Sequence, residues 1–145
     1  MYKRILVPTD GSKLSRKAVV HGVRLARALG AEVTGMTSSP TWRDFYPRPR
    51  LRMISAADYE REVERDAARS LAAVLRAAKA ARVRCATVHA RHPDPWRAII
   101  MTARARRCDL IVMASHGHGG MKALLLGSET SKVLAHSKIP VLVHR

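Results

Sequence analysis

Acidic residues are scarce in this chain of 145 residues, which has 11 of them against 27 lysines and arginines and a formal net charge of +16. A balance this basic favours polyanionic partners such as nucleic acids, nucleotides or anionic surfaces. The basic residues are nevertheless spread along the whole chain instead of forming one block. We therefore interpret most of the charge as a general surface bias, and nucleic acid stays open as a partner.

Cysteines, long apolar runs and histidine pairs are also few. The two cysteines, Cys85 and Cys108, have no CxxC or metal-ligand spacing, so we predict neither redox chemistry nor a metal site. No apolar run reaches the length of a signal-peptide core or a membrane span, and we expect a cytoplasmic protein without membrane contact. No HxH or HExxH pair falls on a predicted helix, which also argues against a bound metal.

Apolar runs of strand length alternate with segments of helical periodicity. The predicted strands are Lys3–Pro8, Glu32–Thr37, Arg84–Ala90, Asp109–Ala114 and Val141–His144. The predicted helices are 12–29, 56–81, one opened by Asp94-Pro95, and Ser128–His136, with an irregular stretch over 38–55. The helix over 56–81 is predicted to bury Val63, Ala67, Leu71, Val74, Leu75 and Ala78. This alternation predicts an α/β fold with parallel strands, and the length fits one domain over residues 1–145.

Two loops rich in small polar residues, Thr9–Ser12 and Ser115–Gly120, follow the first and fourth predicted strands. In an open parallel sheet a ligand binds beyond the carboxyl ends of the strands, where the strand order reverses. If these two strands are neighbours at the reversal, both loops face one crevice.

The glycines between residues 114 and 128 suit a phosphate, because glycine lets backbone amides approach an anion closely. Gly127-Ser128 precede a predicted helix, whose N-terminus also favours an anion. A tight turn without a ligand, with Ser128 capping the helix, explains the same residues, and spacing alone does not decide between the two. No GK[ST] follows the glycines and no GxGxxG follows the first strand, so neither a Walker loop nor a dinucleotide fingerprint is present.

Four motifs then occur in a recognisable order: Val7–Ser12 (VPTDGS), Met113–Gly117 (MASHG), Gly127-Ser128 and Pro140–Val143 (PVLV). Together they resemble the universal stress protein family over essentially the whole chain. The resemblance implies an open, doubly wound five-stranded parallel sheet of order 3-2-1-4-5 with helices on both faces, the adenine nucleotide alpha hydrolase-like fold. It also implies ATP with Mg²⁺ as a ligand, a role in stress response or signalling, and a homodimer formed through the C-terminal strand.

The ATP-binding branch of that family carries G-x-x-G, nine residues, then G-S/T. Gly117 matches the second glycine and Gly127-Ser128 complete the pattern, so the resemblance places phosphates on these residues and Asp10 near the adenosine. The whole predicted binding set is Pro8, Thr9, Asp10, Ser38, Met113, Ala114, His116, Gly117, His118, Gly127, Ser128, Glu129 and Thr130.

Three positions depart from the family's pattern. Ala114 adds a methyl group where the first glycine lets the backbone approach the nucleotide. Ser38 replaces the usual apolar residue beside the adenine and offers a hydroxyl instead. His144 ends the last strand where an apolar residue is more usual, which bears on the strength of the dimer.

No catalytic residues are predicted. His116 and His118 have no evident nucleophile beside them, and no arginine finger or water-positioning group is evident, so any ATP hydrolysis is expected to be slow.

The segment Thr41–Arg52 holds three aromatic residues among arginines, a composition that can stack bases and pair phosphates. A lid or dimer-contact segment whose aromatics pack on the neighbouring sheet explains it as well, and we favour that interpretation. The alternative function is a basic adaptor that binds nucleic acid or protein and has only a vestigial crevice.

Overall fold

The computed structural model describes residues 1–45, 54–118 and 126–145. In chain order these ranges contain β1 (Arg4–Pro8), α1 (Lys13–Leu29), β2 (Glu32–Ser39), α2 (Trp42–Phe45), α3 (Ala56–Ala80), β3 (Cys85–Arg91), α4 (Pro95–Ala105), β4 (Leu110–Ala114), α5 (Ser128–His136) and β5 (Val141–His144). None of the helices in the described ranges is both long and apolar enough to cross a membrane.

The sheet has the strand order β3-β2-β1-β4-β5, and every pairing is parallel. This confirms the predicted doubly wound sheet of order 3-2-1-4-5. The chain moves outward from β1 through β2 to β3 and then crosses back to β4, on the other side of β1. The strand order therefore reverses between β1 and β4, so the loops that follow these two strands meet at one edge.

Two apolar clusters cover the two faces of the sheet. Along β1, Ile5 and Val7 enter the cluster under α1 and α3, whereas Leu6 enters the cluster under α4 and α5. This alternation follows from the two-residue period of a strand, and both faces are apolar because parallel sheets are buried on both sides. Each fully buried aliphatic side chain contributes about 1.5–3 kcal/mol to folding.

The prediction that the chain becomes irregular at residue 38 is wrong for the first residues of that stretch. β2 runs on to Ser39 because β3 pairs with it as far as the partners Ser39 and Arg91. The short helix α2 follows, and its start is tied by Asp44, whose Oδ2 accepts hydrogen bonds from Thr41 N at 2.6 Å and Thr41 Oγ1 at 2.8 Å. Local capping and strand pairing thus order residues whose composition suggested a loop.

The ends and the buried faces of the two long helices largely agree with the prediction. α1 begins after Ser12, whose Oγ accepts a hydrogen bond from Ser15 N, and ends at Gly30 with φ of 64°. In α3 the predicted residues Ala67, Leu71, Val74 and Ala78 are buried, whereas Val63 is only half buried. The prediction for Leu75 is wrong, since it is 44% exposed. Leu75 directly follows Val74 and so points about 100° further round the helix, away from the sheet.

Candidate functional site

A cleft of about 200 Å³ opens at the carboxyl ends of β1 and β4, where the strand order reverses. Most of the predicted binding residues line it: Pro8, Thr9, Asp10, Ser38, Met113, Ala114, His116, Gly117, Glu129 and Thr130. The other predicted residues, His118, Gly127 and Ser128, lie beside the cleft and are not among its described lining. The sequence-based prediction that both polar loops face one crevice is therefore confirmed.

Asp10 joins the two loops across the cleft. Its Oδ2 accepts a hydrogen bond from His118 N at 2.8 Å, and its Oδ1 accepts one from Ser12 N at 2.9 Å. His118 Nε2 in turn donates to the Asp10 carbonyl oxygen at 2.9 Å. Partial burial raises the pKa of Asp10, but the hydrogen bonds from Ser12 and His118 outweigh burial and hold the pKa below its ordinary value. The carboxylate is therefore ionised at neutral pH.

The loop after β1 is held rigidly at the mouth of the cleft. Thr9 Oγ1 forms a hydrogen bond of 3.0 Å with Ser15 Oγ and accepts another from Gly11 N at 3.1 Å. Gly11 has a φ of 80°, a left-handed conformation that glycine adopts without strain. Thr9 N also donates to Met36 O at 2.8 Å, which ties the loop to β2.

The inner wall of the cleft combines apolar side chains with one unsatisfied hydroxyl. Met36 and Ile99 are buried and line it from β2 and α4, together with Met113 from β4. Ser38 Oγ is buried and has no hydrogen-bond partner among the described residues. An unpaired buried hydroxyl costs about 1–3 kcal/mol, so a polar ligand atom that reached Ser38 would recover this cost.

Sequence reasoning missed several lining residues, namely Ser15, Met36, Thr37, Pro95 and Ile99. Met36 and Thr37 were within reach of prediction, because they end the strand next to β1 in the implied order. Pro95 and Ile99 lie in the first turns of α4, which the crossover from β3 to β4 brings over the reversal. No local pattern marks that placement.

The start of α5 is fastened to the end of β4. Gly127 N donates to Ser115 O at 2.7 Å, and Thr130 Oγ1 donates to Ala114 O at 2.9 Å. A Cβ on Gly127 would lie 3.1 Å from His116 Cα, a tight contact that glycine avoids. The first-turn amides of any helix lack intrahelical acceptors, and those of α5 begin at this junction.

Ser128 does not cap α5, and Glu129 makes a structural contact in addition to lining the cleft. Gly127 is the N-cap of α5, and no side chain caps the helix, so the interpretation of Ser128 as a cap is wrong. Glu129 Oε2 accepts a hydrogen bond from Trp96 N at 2.8 Å, which ties α5 to the start of α4. Glu129 still lines the cleft, and Asp10 is the other lining carboxylate in the described ranges.

Cations are missing from the described part of the cleft, although the chain has a net charge of +16. No lysine or arginine belongs to its described lining. His116 Nδ1 lies 3.2 Å from Ser115 Oγ, and the ring of His118 is already bonded to Asp10. The described ranges hold no group of three or more His, Cys, Asp or Glu residues that could hold a metal ion. Among the described lining residues, a phosphate would therefore find backbone amides and His116 but no lysine or arginine.

Trp42, at the start of the aromatic segment after β2, packs on helix α3. The Trp42 ring lies 5.6 Å from the ring of Tyr59 in α3. Tyr59 Oη donates to Pro40 O at 2.8 Å, and Arg91 Nη2 donates to the same oxygen at 3.0 Å. The predicted contacts of the Phe45 side chain, of Tyr46 and of the arginines 48, 50 and 52 lie outside the described part of the structure.

The fold and its cleft place this chain among the doubly wound α/β proteins that open a ligand crevice where the strand order reverses. The chain belongs to the universal stress protein family, because the model of that family matches residues 1–145. Its fold is the adenine nucleotide alpha hydrolase-like fold shared by the solved structures of that family.

Several relatives cover nearly the full chain. The universal stress protein YxiE of Bacillus subtilis is 30% identical, and the match covers all of both chains. The universal stress protein MJ0531 of Methanocaldococcus jannaschii is 28% identical over 99% of this chain and 82% of its own length. The solved structure of hypothetical protein MJ0577, from the same organism, superimposes with a TM-score of 0.79 at 24% identity, covering 99% of this chain and 96% of that one.

Two further solved structures contain adenine nucleotides. A universal stress protein in complex with cAMP has a TM-score of 0.67 at 24% identity and covers 98% of this chain and 95% of its own. The universal stress protein from Archaeoglobus fulgidus in complex with dAMP has a TM-score of 0.73 at 16% identity, covering 99% and 98%. At these identities the likeness establishes the fold.

Proposed function

We propose that this universal stress protein binds ATP, accompanied by Mg²⁺, in the cleft between β1 and β4. The single observation that carries the proposal is the geometry at that edge: a rigid loop ending in an ionised Asp10, an apolar wall, and the start of α5 fastened beside them. Structural neighbours in complex with cAMP and dAMP support an adenine nucleotide as the ligand class.

Each part of the cleft suits one part of the nucleotide. The adenine packs between Met36 and Ile99, with Ser38 Oγ as a hydrogen-bond partner that has no other acceptor or donor in the described ranges. Asp10 accepts from ribose hydroxyls. The backbone around Gly117 and the first-turn amides of α5 bind the phosphates, since no cation lines the described cleft.

The divalent cation arrives with the phosphates. Mg²⁺ in nucleotide sites is held by phosphate oxygens, waters and one or two carboxylates. Asp10 and Glu129 are the lining carboxylates available to it in the described ranges.

The ligand acts as a signal in this proposal. Bound ATP bridges the loop after β1 and the start of α5, so its presence changes the surface offered to a partner in stress response or signalling. We expect any ATP hydrolysis to be slow, because the described lining supplies no arginine to stabilise the charge of a phosphoryl-transfer transition state.

Further parts of the proposal concern assembly and location. β5 is one of the two edge strands of the sheet, and its residues Val141–His144 are all only half buried, which supports a homodimer formed by pairing of this edge with a second copy. We place the protein in the cytoplasm, where the free thiols Cys85 and Cys108 remain reduced. Residues 1–145 then act as one domain.

The first test is calorimetric titration of Mg·ATP into nucleotide-stripped protein at 50 and 150 mM salt, with Gly127→Val as the impaired variant. We expect saturable binding of one ATP per chain that survives the higher salt and is lost in the variant, since the added side chain forces the start of α5 away from His116. AMP and cAMP are titrated alongside ATP to identify the preferred nucleotide.

The alternative function predicts a different result. If the cleft is vestigial and the chain is a basic adaptor, ATP binding will be absent or will disappear at 150 mM salt, equally in both proteins. That outcome would reject the proposal, because screening removes attraction to exposed surface charge but not to a shaped site.

A further inference from the structure

The outer face of α1 carries a row of cations. Its members, all exposed and hereafter called the basic stripe, are Lys13, Arg16, Lys17, Arg24 and Arg27. Because an α-helix turns by 3.6 residues, these positions fall within an arc of roughly 100°, opposite the buried face. From the first to the last they span about 21 Å of helix axis. Successive members are three, one, seven and three residues apart, so the stripe is one linear feature with a wider gap between Lys17 and Arg24.

The basic stripe is not neutralised. The sequence of α1 contains no acidic residue, and no member of the stripe forms a salt bridge within the described part of the chain. α3, the neighbouring helix on the same face of the sheet, is different. Its arginines alternate with acidic residues, and Arg61 and Arg69 pair with Asp58 and Asp66. α1 therefore presents five exposed cations on one face without an acidic residue in the same helix, a local grouping that the even spread along the sequence concealed.

A shallow groove runs beside the stripe, between α1 and the end of β5. Val20, His21 and His144 line it together with four stripe cations. The rings of His21 and His144 lie 5.2 Å apart, which closes the end of the groove. No acidic side chain belongs to its described lining, so the groove combines positive charge with a concave shape. This surface is separate from the nucleotide cleft, with which it shares no lining residue.

We propose that the basic stripe and its groove bind the phosphodiester backbone of duplex nucleic acid without reading its sequence. A duplex carries one negative charge per about 1.7 Å of axis when both strands are counted, so a length of about 21 Å holds roughly twelve phosphates, more than enough for the five cations of a stripe on one side. Five cations on one rigid helix can each meet a phosphate at little cost in ordering. Apart from the two histidines, the surface presents no aromatic ring on which unpaired bases could stack, which favours a duplex over a single strand.

The test compares two variants with the same loss of charge. Lys17→Gln/Arg24→Gln removes two members of the stripe, and Arg65→Gln/Arg76→Gln removes two exposed arginines from α3. Binding of a fluorescein-labelled 20-base-pair duplex of arbitrary sequence is followed by fluorescence anisotropy between 50 and 200 mM salt. The affinities for a DNA duplex and an RNA duplex are both measured, and the higher affinity shows which nucleic acid the stripe prefers. Thermal unfolding of each variant checks that the fold is retained.

For the unaltered protein we expect log K to fall with log salt at a slope of about −4.5, the value for five phosphate contacts. The α1 variant should show a slope of about −2.7 and at least a roughly tenfold weaker affinity at 50 mM salt. The α3 variant should stay within about threefold of the unaltered protein. Gly117→Ala, which alters the nucleotide cleft, should leave duplex binding unchanged, so this proposal can succeed or fail independently of ATP binding.

Three results would overturn the proposal. Equal losses in the two charge variants would mean that only net charge matters. Absence of duplex binding at 50 mM salt would exclude the partner, since electrostatic attraction is strongest there. Tighter α1-dependent binding to phosphatidylserine vesicles than to either duplex would assign the stripe to a membrane surface instead.

Discussion

Gly117 and Asp10 are packed so closely that Gly117 has no room for a side chain. A Cβ on Gly117 would collide with Asp10 Oδ2 and would lie 3.0 Å from Asp10 Cγ. The next amide, that of His118, donates to the same carboxylate at 2.8 Å. The second glycine of the family's pattern is therefore required in this chain by the loop after β1, in addition to any ligand.

Gly117→Ala should weaken Mg·ATP binding by at least roughly tenfold while costing less than about 2 kcal/mol of folding free energy. The added methyl group displaces the Asp10 carboxylate and breaks its hydrogen bond with His118 N. Calorimetric titration measures the first effect and urea denaturation the second. The control is Ser131→Ala, an exposed position on α5 that does not line the cleft and should leave both values unchanged. Unaltered ATP binding in Gly117→Ala would contradict the proposed site.

Asp10→Asn should make the free energy of unfolding less dependent on pH in the acidic range. Because the folded-state pKa of Asp10 is lowered, its ionised form stabilises the fold above the ordinary pKa, and this contribution is lost as the pH falls through the lower folded value. The free energy of unfolding of the unaltered protein should therefore drop more steeply below about pH 4 than that of the variant. Urea midpoints from pH 6 to pH 2.5 measure the difference.

At neutral pH Asp10→Asn should cost about 1 kcal/mol, since an amide can accept only one of the two hydrogen bonds from Ser12 N and His118 N. Asp44, another exposed aspartate with a lowered pKa, owes it to hydrogen bonds from Thr41 and lies outside the cleft. Asp44→Asn is therefore the control: it removes a carboxylate with a lowered pKa without touching the hydrogen bonds that join the two loops of the cleft. If both variants flatten the profile but only Asp10→Asn impairs ATP binding, the assignment of Asp10 is supported; impairment by both would contradict it.

Ser38→Ala should change stability and nucleotide binding in opposite directions. Removing a buried hydroxyl that has no partner in the described ranges should raise the free energy of unfolding of the ligand-free protein by up to about 1 kcal/mol. The same change should weaken ATP binding about threefold to tenfold, because the adenine loses a hydrogen bond. Ser39→Ala is the neighbouring control, since Ser39 Oγ pairs with His89 Nε2 at 3.0 Å and does not line the cleft. A loss of both stability and affinity in Ser38→Ala would show that the hydroxyl is satisfied without a ligand.

Gly35→Ala should destabilise the fold by about 1–3 kcal/mol through overpacking. A Cβ on Gly35 would lie 2.7 Å from Val74 Cγ1, because α3 crosses directly over β2 at this point. In the double variant Gly35→Ala/Val74→Ala, the new methyl group should fill part of the space left by the valine, so the total loss should be smaller than the sum by at least about 1 kcal/mol.

The matched double variant is Gly35→Ala/Val133→Ala, in which the second change lies in the cluster on the opposite face of the sheet. In urea denaturation, the loss of unfolding free energy in this double variant should equal the sum of the two single losses, since the two side chains do not pack against each other. Equal non-additivity in both double variants would mean that Gly35→Ala disturbs the sheet as a whole.

Most of the fold could be predicted from the amino-acid sequence because its signals are local. Apolar runs such as Leu110–Ala114 and the cap and stop residues of α1 mark elements whatever surrounds them. Four short motifs in register indicated the family, and through it the strand order and most of the residues that line the cleft. Errors occurred where tertiary contacts override composition, as when pairing with β3 extends β2 to Ser39.

The tertiary structure alone decided the features that join distant parts of the chain. The bond between Asp10 and His118 spans 108 positions, the first turns of α4 reach the cleft through a crossover, and Ser38 Oγ is buried without a partner in the described ranges. The same is true of charge pairing, because only the structure shows that α3 pairs some of its arginines while the cations of α1 form no salt bridge within the described ranges. Local periodicity determines which segments are strands and helices, whereas the side chains that meet depend on how the crossovers place those segments.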